Sequence, residues 1–119
     1  MIETQEYQHL LEQNREMLAS LGSRHDLAIK REIEIGSRYQ DRERAREARK
    51  YVDEKYGIPQ STLFRVVTLK YSEEDITIDL KFSIEEVPTA ESITKYEYML
   101  IDAAEKFGGD TPGWEIAIK

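Results

Sequence analysis

His9 and His25 are the only imidazoles in the chain, and an imidazole is the side chain whose ordinary pKa suits it to proton transfer near neutrality. Neither has a second ligand at the i, i+4 spacing that lets one helix face grip zinc. His25 precedes Asp26, but neighbouring residues rarely point the same way, so this pair reads as a solvated loop. Carboxylates stand together at Glu73-Glu74-Asp75 and at Glu85-Glu86, positions that fall at strand ends, where water solvates them. Gly108-Gly109 follow a helical pattern instead of opening one, which suits a helix stop better than a phosphate cradle. With no cysteine there is no thiolate, disulfide or Cys nucleophile. The expectation is a protein without catalysis, metal or cofactor.

Charge is the stronger signal. The chain has 119 residues, 34% of them charged, and a formal net charge of −7, the wrong sign for a protein that neutralises nucleic-acid phosphates. The distribution is uneven: residues 24–50 hold nine basic and six acidic side chains, whereas 72–110 hold eleven acidic and three basic. A basic patch and a strongly acidic half follow, the latter suited to steering a basic partner. No apolar run nears the roughly 20 residues of a membrane span, and Met1-Ile2-Glu3-Thr4 lacks a basic and then apolar leader. A soluble cytoplasmic protein is expected.

Periodicity supplies the elements. Thr4 caps a helix to Leu21, with Tyr7, Leu10, Leu11, Asn14, Met17, Leu18 and Leu21 on one stripe and Gly22 just past its end. "AIKREIEIGSRY" alternates, with Ile29, Ile33, Ile35 and Tyr39 on one side and Lys30, Glu32 and Glu34 on the other. Asp41 caps a second helix with stripe Ala45, Ala48, Val52 and Tyr56, closed by Gly57. "TLFRVVTLKY" and "ITIDLKFSI" form a hairpin, the second strand turning Ile76, Ile78, Leu80, Phe82 and Ile84 inward. Thr89 caps a third helix with stripe Ile93, Tyr96, Leu100, Ala104 and Phe107, and the last strand carries Trp114, Ile116 and Ile118 on one side. One domain spans residues 1–119: an added N-terminal helix over 1–23, then a βαββαβ core over 27–119. That order predicts an α+β ferredoxin-like sandwich, with two helices on one face of a four-stranded antiparallel sheet.

RNA-recognition domains share this order, but they stack bases on outward aromatics. The outward positions here are Lys30, Glu32, Glu34, Thr77, Asp79, Lys81 and Ser83, so direct nucleic-acid binding is not expected. Trp114 shares parity with Ile116 and is expected to latch the core beneath the third helix, with Gly113 giving room for a tight approach. Arg65 lies in parity with Leu63, Val67 and Leu69, opposite to Phe64 and Val66. Either a bulge shifts the register, or an apolar patch lies on the outer sheet face beneath the first helix or another chain.

"REIEIGSRYQDRERAREARKY", "AESITKYEYMLIDAAEKFGG" and the ending "DTPGWEIAIK" resemble the ribonuclease E inhibitor family called regulator of ribonuclease E activity B. The leading helix joins in through Gln13-Asn14-Arg15-Glu16-Met17-Leu18, and Pro112 stands where that family usually has Asp before Gly-Trp. The resemblance implies a ferredoxin-like sandwich and non-catalytic binding to the endoribonuclease that organises messenger-RNA decay. The protein partner is then expected at an acidic surface made of Glu73, Glu74, Asp75, Asp79, Glu85 and Glu86. Two other readings fit the residues: an immunity or antitoxin-like protein that blocks a cationic toxin, and a structural homodimer joined through an outer sheet face that includes Phe64 and Val66.

Overall fold

A computed structural model describes residues 4–117. Along the chain run α1 (Gln5–Gly22), β1 (Arg31–Tyr39), α2 (Arg42–Tyr56), β2 (Leu63–Lys70), β3 (Ile76–Glu86), α3 (Ala90–Phe107) and β4 (Gly113–Ile116). Each helix begins where a short polar side chain accepts an otherwise unpaired backbone N–H: Thr4 from Tyr7, Asp41 from Arg44, Thr89 from Ser92. Gly57 and Gly108 end α2 and α3 in the left-handed region, at φ 64° and 78°. Gly22 does not act this way. It remains the last residue of α1, and Ser23 forms the cap in ordinary right-handed geometry.

The sheet is antiparallel throughout, in the order β2-β3-β1-β4, as the ferredoxin-like reading requires. Helices α2 and α3 cover one face. Directly opposed residues share a face, so the register aligns Phe64, Phe82, Ile35 and Trp114 across all four strands toward the helices. Ile33, Ile35, Leu80, Phe82, Ile93 and Leu100 are fully buried there, and Ala45 and Ala48 let α2 lie close. Phe64 stacks on Phe82 with ring centroids 4.1 Å apart. Ile29 and Ile76, expected inward, are exposed because they lie at or beyond strand ends. Ile118 lies outside the described residues.

The register of β2 with β3 is unbroken from Leu63↔Ser83 to Lys70↔Ile76, so no bulge resolves the parity of Arg65. Phe64 and Val66 point into the core, which removes them from any outer dimer face. Leu63, Val67 and Leu69 take the outward positions instead. Helix α1 does not cover them; it packs on the flank of α3.

A small buried polar network holds α1 in that place. Asn14, 2% exposed, donates from Nδ2 to Thr94 Oγ1 and to Glu97 Oε1, both at 2.9 Å, and its Oδ1 accepts from Trp114 Nε1 at 2.8 Å. The indole is therefore a latch, but its hydrogen bond reaches the added helix, while its ring packs against the core. A second clasp joins α2 to α3: Asp102 accepts from Tyr51 Oη, from Tyr56 Oη at 2.6 Å and from Lys55 Nζ at 2.8 Å.

These two carboxylates respond to pH in opposite senses. Burial raises the Glu97 carboxyl above its ordinary 4.5, and the single bond from Asn14 only partly offsets this. Burial also pushes Asp102 upward, but the bonds from Lys55, Tyr56 and Tyr51 prevail and hold it below its ordinary 3.8. The native state thus binds the Glu97 proton more tightly than the unfolded chain does, so its contribution is full below about 4.5 and is lost as pH rises through the raised value. Asp102 contributes fully above about 3.8, and its share disappears as pH falls through the lowered value. Stability from the pair is expected to be greatest in mildly acidic solution. Urea titrations at a series of pH values check this: Glu97→Gln should flatten the decline that sets in as pH rises above about 4.5 while leaving the acid limb in place.

Gly109 marks a close approach of another kind. A Cβ there would sit 2.6 Å from Tyr39 Cζ, and that ring is buried and cannot retreat. Gly109→Ala is expected to cost about 1–2 kcal/mol through overpacking, seen as a lower urea midpoint with unchanged slope; an unaltered midpoint would refute it.

Candidate functional site: the open face of the sheet

Because α1 settles against α3, no described element covers the second face of the sheet. Parity assigns its side chains. Glu115 comes from β4; Glu32, Glu34 and Arg38 from β1; Asp79, Lys81, Ser83 and Glu85 from β3; and Leu63, Arg65, Val67 and Leu69 from β2. The face therefore grades from acidic on β4 and β1 to apolar on β2.

The carboxylates are arranged against one another. Glu32 stands directly opposite Glu85, and Glu34 directly opposite Glu115. Like charges facing across a strand pair destabilise a sheet. Lys81 Nζ, 3.6 Å from Glu34 Oε1, offsets part of this, and Ser83 Oγ donates to Glu34 Oε2 at 3.3 Å. Arg38 Nε lies 3.3 Å from Asp79 Oδ1. Neither Glu32, Glu85 nor Glu115 has an ion pair among the described residues. Such a surface can attract and hold cations.

The six acidic residues expected as one contact surface are divided by the fold. Glu73, Glu74 and Asp75 occupy the exposed turn between β2 and β3. Glu85 and Glu86 stand at the other end of β3, an 11-residue strand, which separates them by roughly 30 Å or more. Asp79 lies on the open face between them, and Glu86 has the parity of the helix-covered side. Glu32, Glu34 and Glu115 complete the acidic surface. Alternation already places the first two outward, but only the strand order brings Glu115 beside them. Gly113 also belongs here: a Cβ on it would meet nothing within 4 Å, so it does not serve the close approach of Trp114 for which it was expected.

His9 lies exposed on α1 and His25 in the turn that follows. Among the described residues no group of three or more His, Asp or Glu side chains is placed to hold a metal ion, and no helix is long and apolar enough to cross a membrane.

No curated protein matches the chain in sequence. A family model described as regulator of ribonuclease activity B matches residues 11–116, a span that takes in most of α1, both helices of the sandwich and all four strands. The match includes Asn14 and Trp114, which fasten the added helix to the sandwich, and every charged position of the open face. The chain belongs to the regulator of ribonuclease activity B family.

Proposed function

We propose that this protein is a non-catalytic regulator that binds a ribonuclease directly, laying its open carboxylate-bearing sheet face against a basic stretch of the enzyme, while Glu73, Glu74 and Asp75 at the hairpin turn add to the long-range field that draws the enzyme in. The observation that carries this reading is the opposition of Glu32 to Glu85 and of Glu34 to Glu115 on an uncovered face. An enzyme that holds RNA must present Lys and Arg to phosphates, and the same cations are the natural partners of these carboxylates. Long-range attraction then sets the association rate, while a contact of about 800 Å² per partner holds the complex.

Surface plasmon resonance with the purified chain and an immobilised endoribonuclease from the same organism tests this. Saturable binding is expected, with an association rate that falls about tenfold or more as salt is raised from 50 to 500 mM. RNA cleavage by the enzyme should slow in its presence, and the chain alone should leave RNA intact. Absence of binding at low salt, or an association rate indifferent to salt, would refute it.

A further inference from the structure

The open face is not flat. Where β1 meets β4 the opposed residues are Gly36 and Gly113, so across two strands no side chain stands on the sheet. A trough of about 380 Å³ opens over this bare backbone. Gly36 has a packing reason, since a Cβ there would lie 3.0 Å from Lys81 Cβ and 3.2 Å from the Leu80 carbonyl oxygen. Gly113 has none: it lies outside the left-handed region, and its missing Cβ would meet open space. Glycine in a strand is a cost to stability, and here no requirement of the fold explains it. One side of the trough is acidic, where Glu34 and Glu115 stand next to each other beyond the two glycines, and Asp79 and Asp110 also line it. Lys81 and Arg38 neutralise Glu34 and Asp79 in part, which leaves Asp110 and Glu115 without an ion pair among the described residues.

Building on the ribonuclease-binding reading, we infer that this trough receives an arginine side chain from a basic peptide segment of the partner, its guanidinium lying on the Gly36–Gly113 backbone beside the Glu34–Glu115 pair. The shape and charge favour this occupant. A guanidinium is flat, gives up its water more readily than an ammonium, and offers a fork of donors to carboxylates. Bare peptide planes beneath it admit a flat group that any larger side chain at position 36 or 113 would lift away.

A nine-residue oligo-arginine peptide serves as the probe, titrated into the full chain at about 150 mM salt, where diffuse attraction is screened beyond roughly 8 Å. Amide NMR should show saturating shifts at Gly36, Gly113 and Glu115. Gly113→Val fills the trough without altering charge; it should weaken the peptide roughly tenfold, as loss of a central contact does, and leave the thermal midpoint undiminished. Glu115→Gln, an exposed isosteric change, should weaken it by a few fold. Unchanged peptide affinity in both variants, or shifts spread evenly through Glu73, Glu74 and Asp75, would overturn the inference. The enzyme itself separates this from the broader reading. Equal capture of the ribonuclease by the wild type and by Gly113→Val defeats the trough alone, whereas peptide seated in the trough without any capture of ribonuclease supports the trough and defeats the ribonuclease reading.

Discussion

Asn14→Ala is expected to lower the free energy of unfolding by about 2–4 kcal/mol, although alanine is the better helix former by a few tenths of a kcal/mol. On an exposed helix face the substitution would stabilise, so its sign is diagnostic. The side chain is 2% exposed and uses both ends: Nδ2 serves Thr94 and Glu97, and Oδ1 serves the Trp114 indole. Removing it strands a buried carboxylate and an indole N–H together, and each unsatisfied group carries the desolvation cost that pairing had offset. The loss is expected to be uneven. Helix α1 touches the body of the protein mainly through α3, so amide exchange in residues 5–22 should quicken beyond the global change. Trp114→Phe keeps the ring packing and loses only the N–H, for about 1 kcal/mol. A double-mutant cycle of the two should show coupling. Urea denaturation followed by circular dichroism measures all three variants, and an Asn14→Ala protein as stable as the wild type would deny the network any part in holding α1.

How much of this could be read from the chain depends on which interactions are local. Caps and strand faces are set by neighbours two to four residues apart, and Thr4, Asp41, Thr89, Gly57 and Gly108 stand where periodicity puts them. The order of strands and helices then leads to the sheet topology, because few arrangements of βαββαβ bury both helices. The destination of α1 was not readable, since nothing local says whether an added amphipathic helix will cover the sheet or flank a neighbour. That choice rests on Asn14 meeting Thr94 and Glu97, about 80 residues away, and it alone leaves the second face bare. The spread of the candidate acidic residues over the sheet is hidden from a linear reading for the same reason. Glu73-Glu74-Asp75 and Glu85-Glu86 draw the eye as runs, whereas the carboxylates of the open face come from single positions on three strands, alternating with residues that face the core. Arg65 misled through its company: Leu63, Val67 and Leu69 form the more regular alternation, yet it is Phe64 and Val66 that the core takes, because only that register stacks Phe64 on Phe82.

Reversing charge on the open face should separate stability from binding. Glu32→Lys and Glu115→Lys each place a cation directly opposite a carboxylate, Glu85 in one case and Glu34 in the other. Opposite charges across a strand pair contribute roughly 0.2–1 kcal/mol and like charges subtract a similar amount, so the doubly substituted protein is expected to unfold at higher urea than the wild type. Its affinity for the ribonuclease is expected to fall about 100-fold, through slower association and faster dissociation together. Glu73→Lys with Glu74→Lys supplies the control, because it changes the net charge by the same amount at the hairpin turn, away from the opposed pairs. If only the long-range field mattered, both variants would associate equally slowly and dissociate alike. If the open face is the contact, the control slows association modestly and leaves dissociation nearly unchanged. A double reversal on the face that binds as tightly as the wild type would remove the sheet from the interface, and one that unfolds more readily would show that the opposed carboxylates do not repel as their register implies. The expected pairing of higher stability with lower affinity has a simple physical source: repulsion between Glu32 and Glu85, and between Glu34 and Glu115, is relieved in the free protein by the new lysines and in the complex by the partner's own cations.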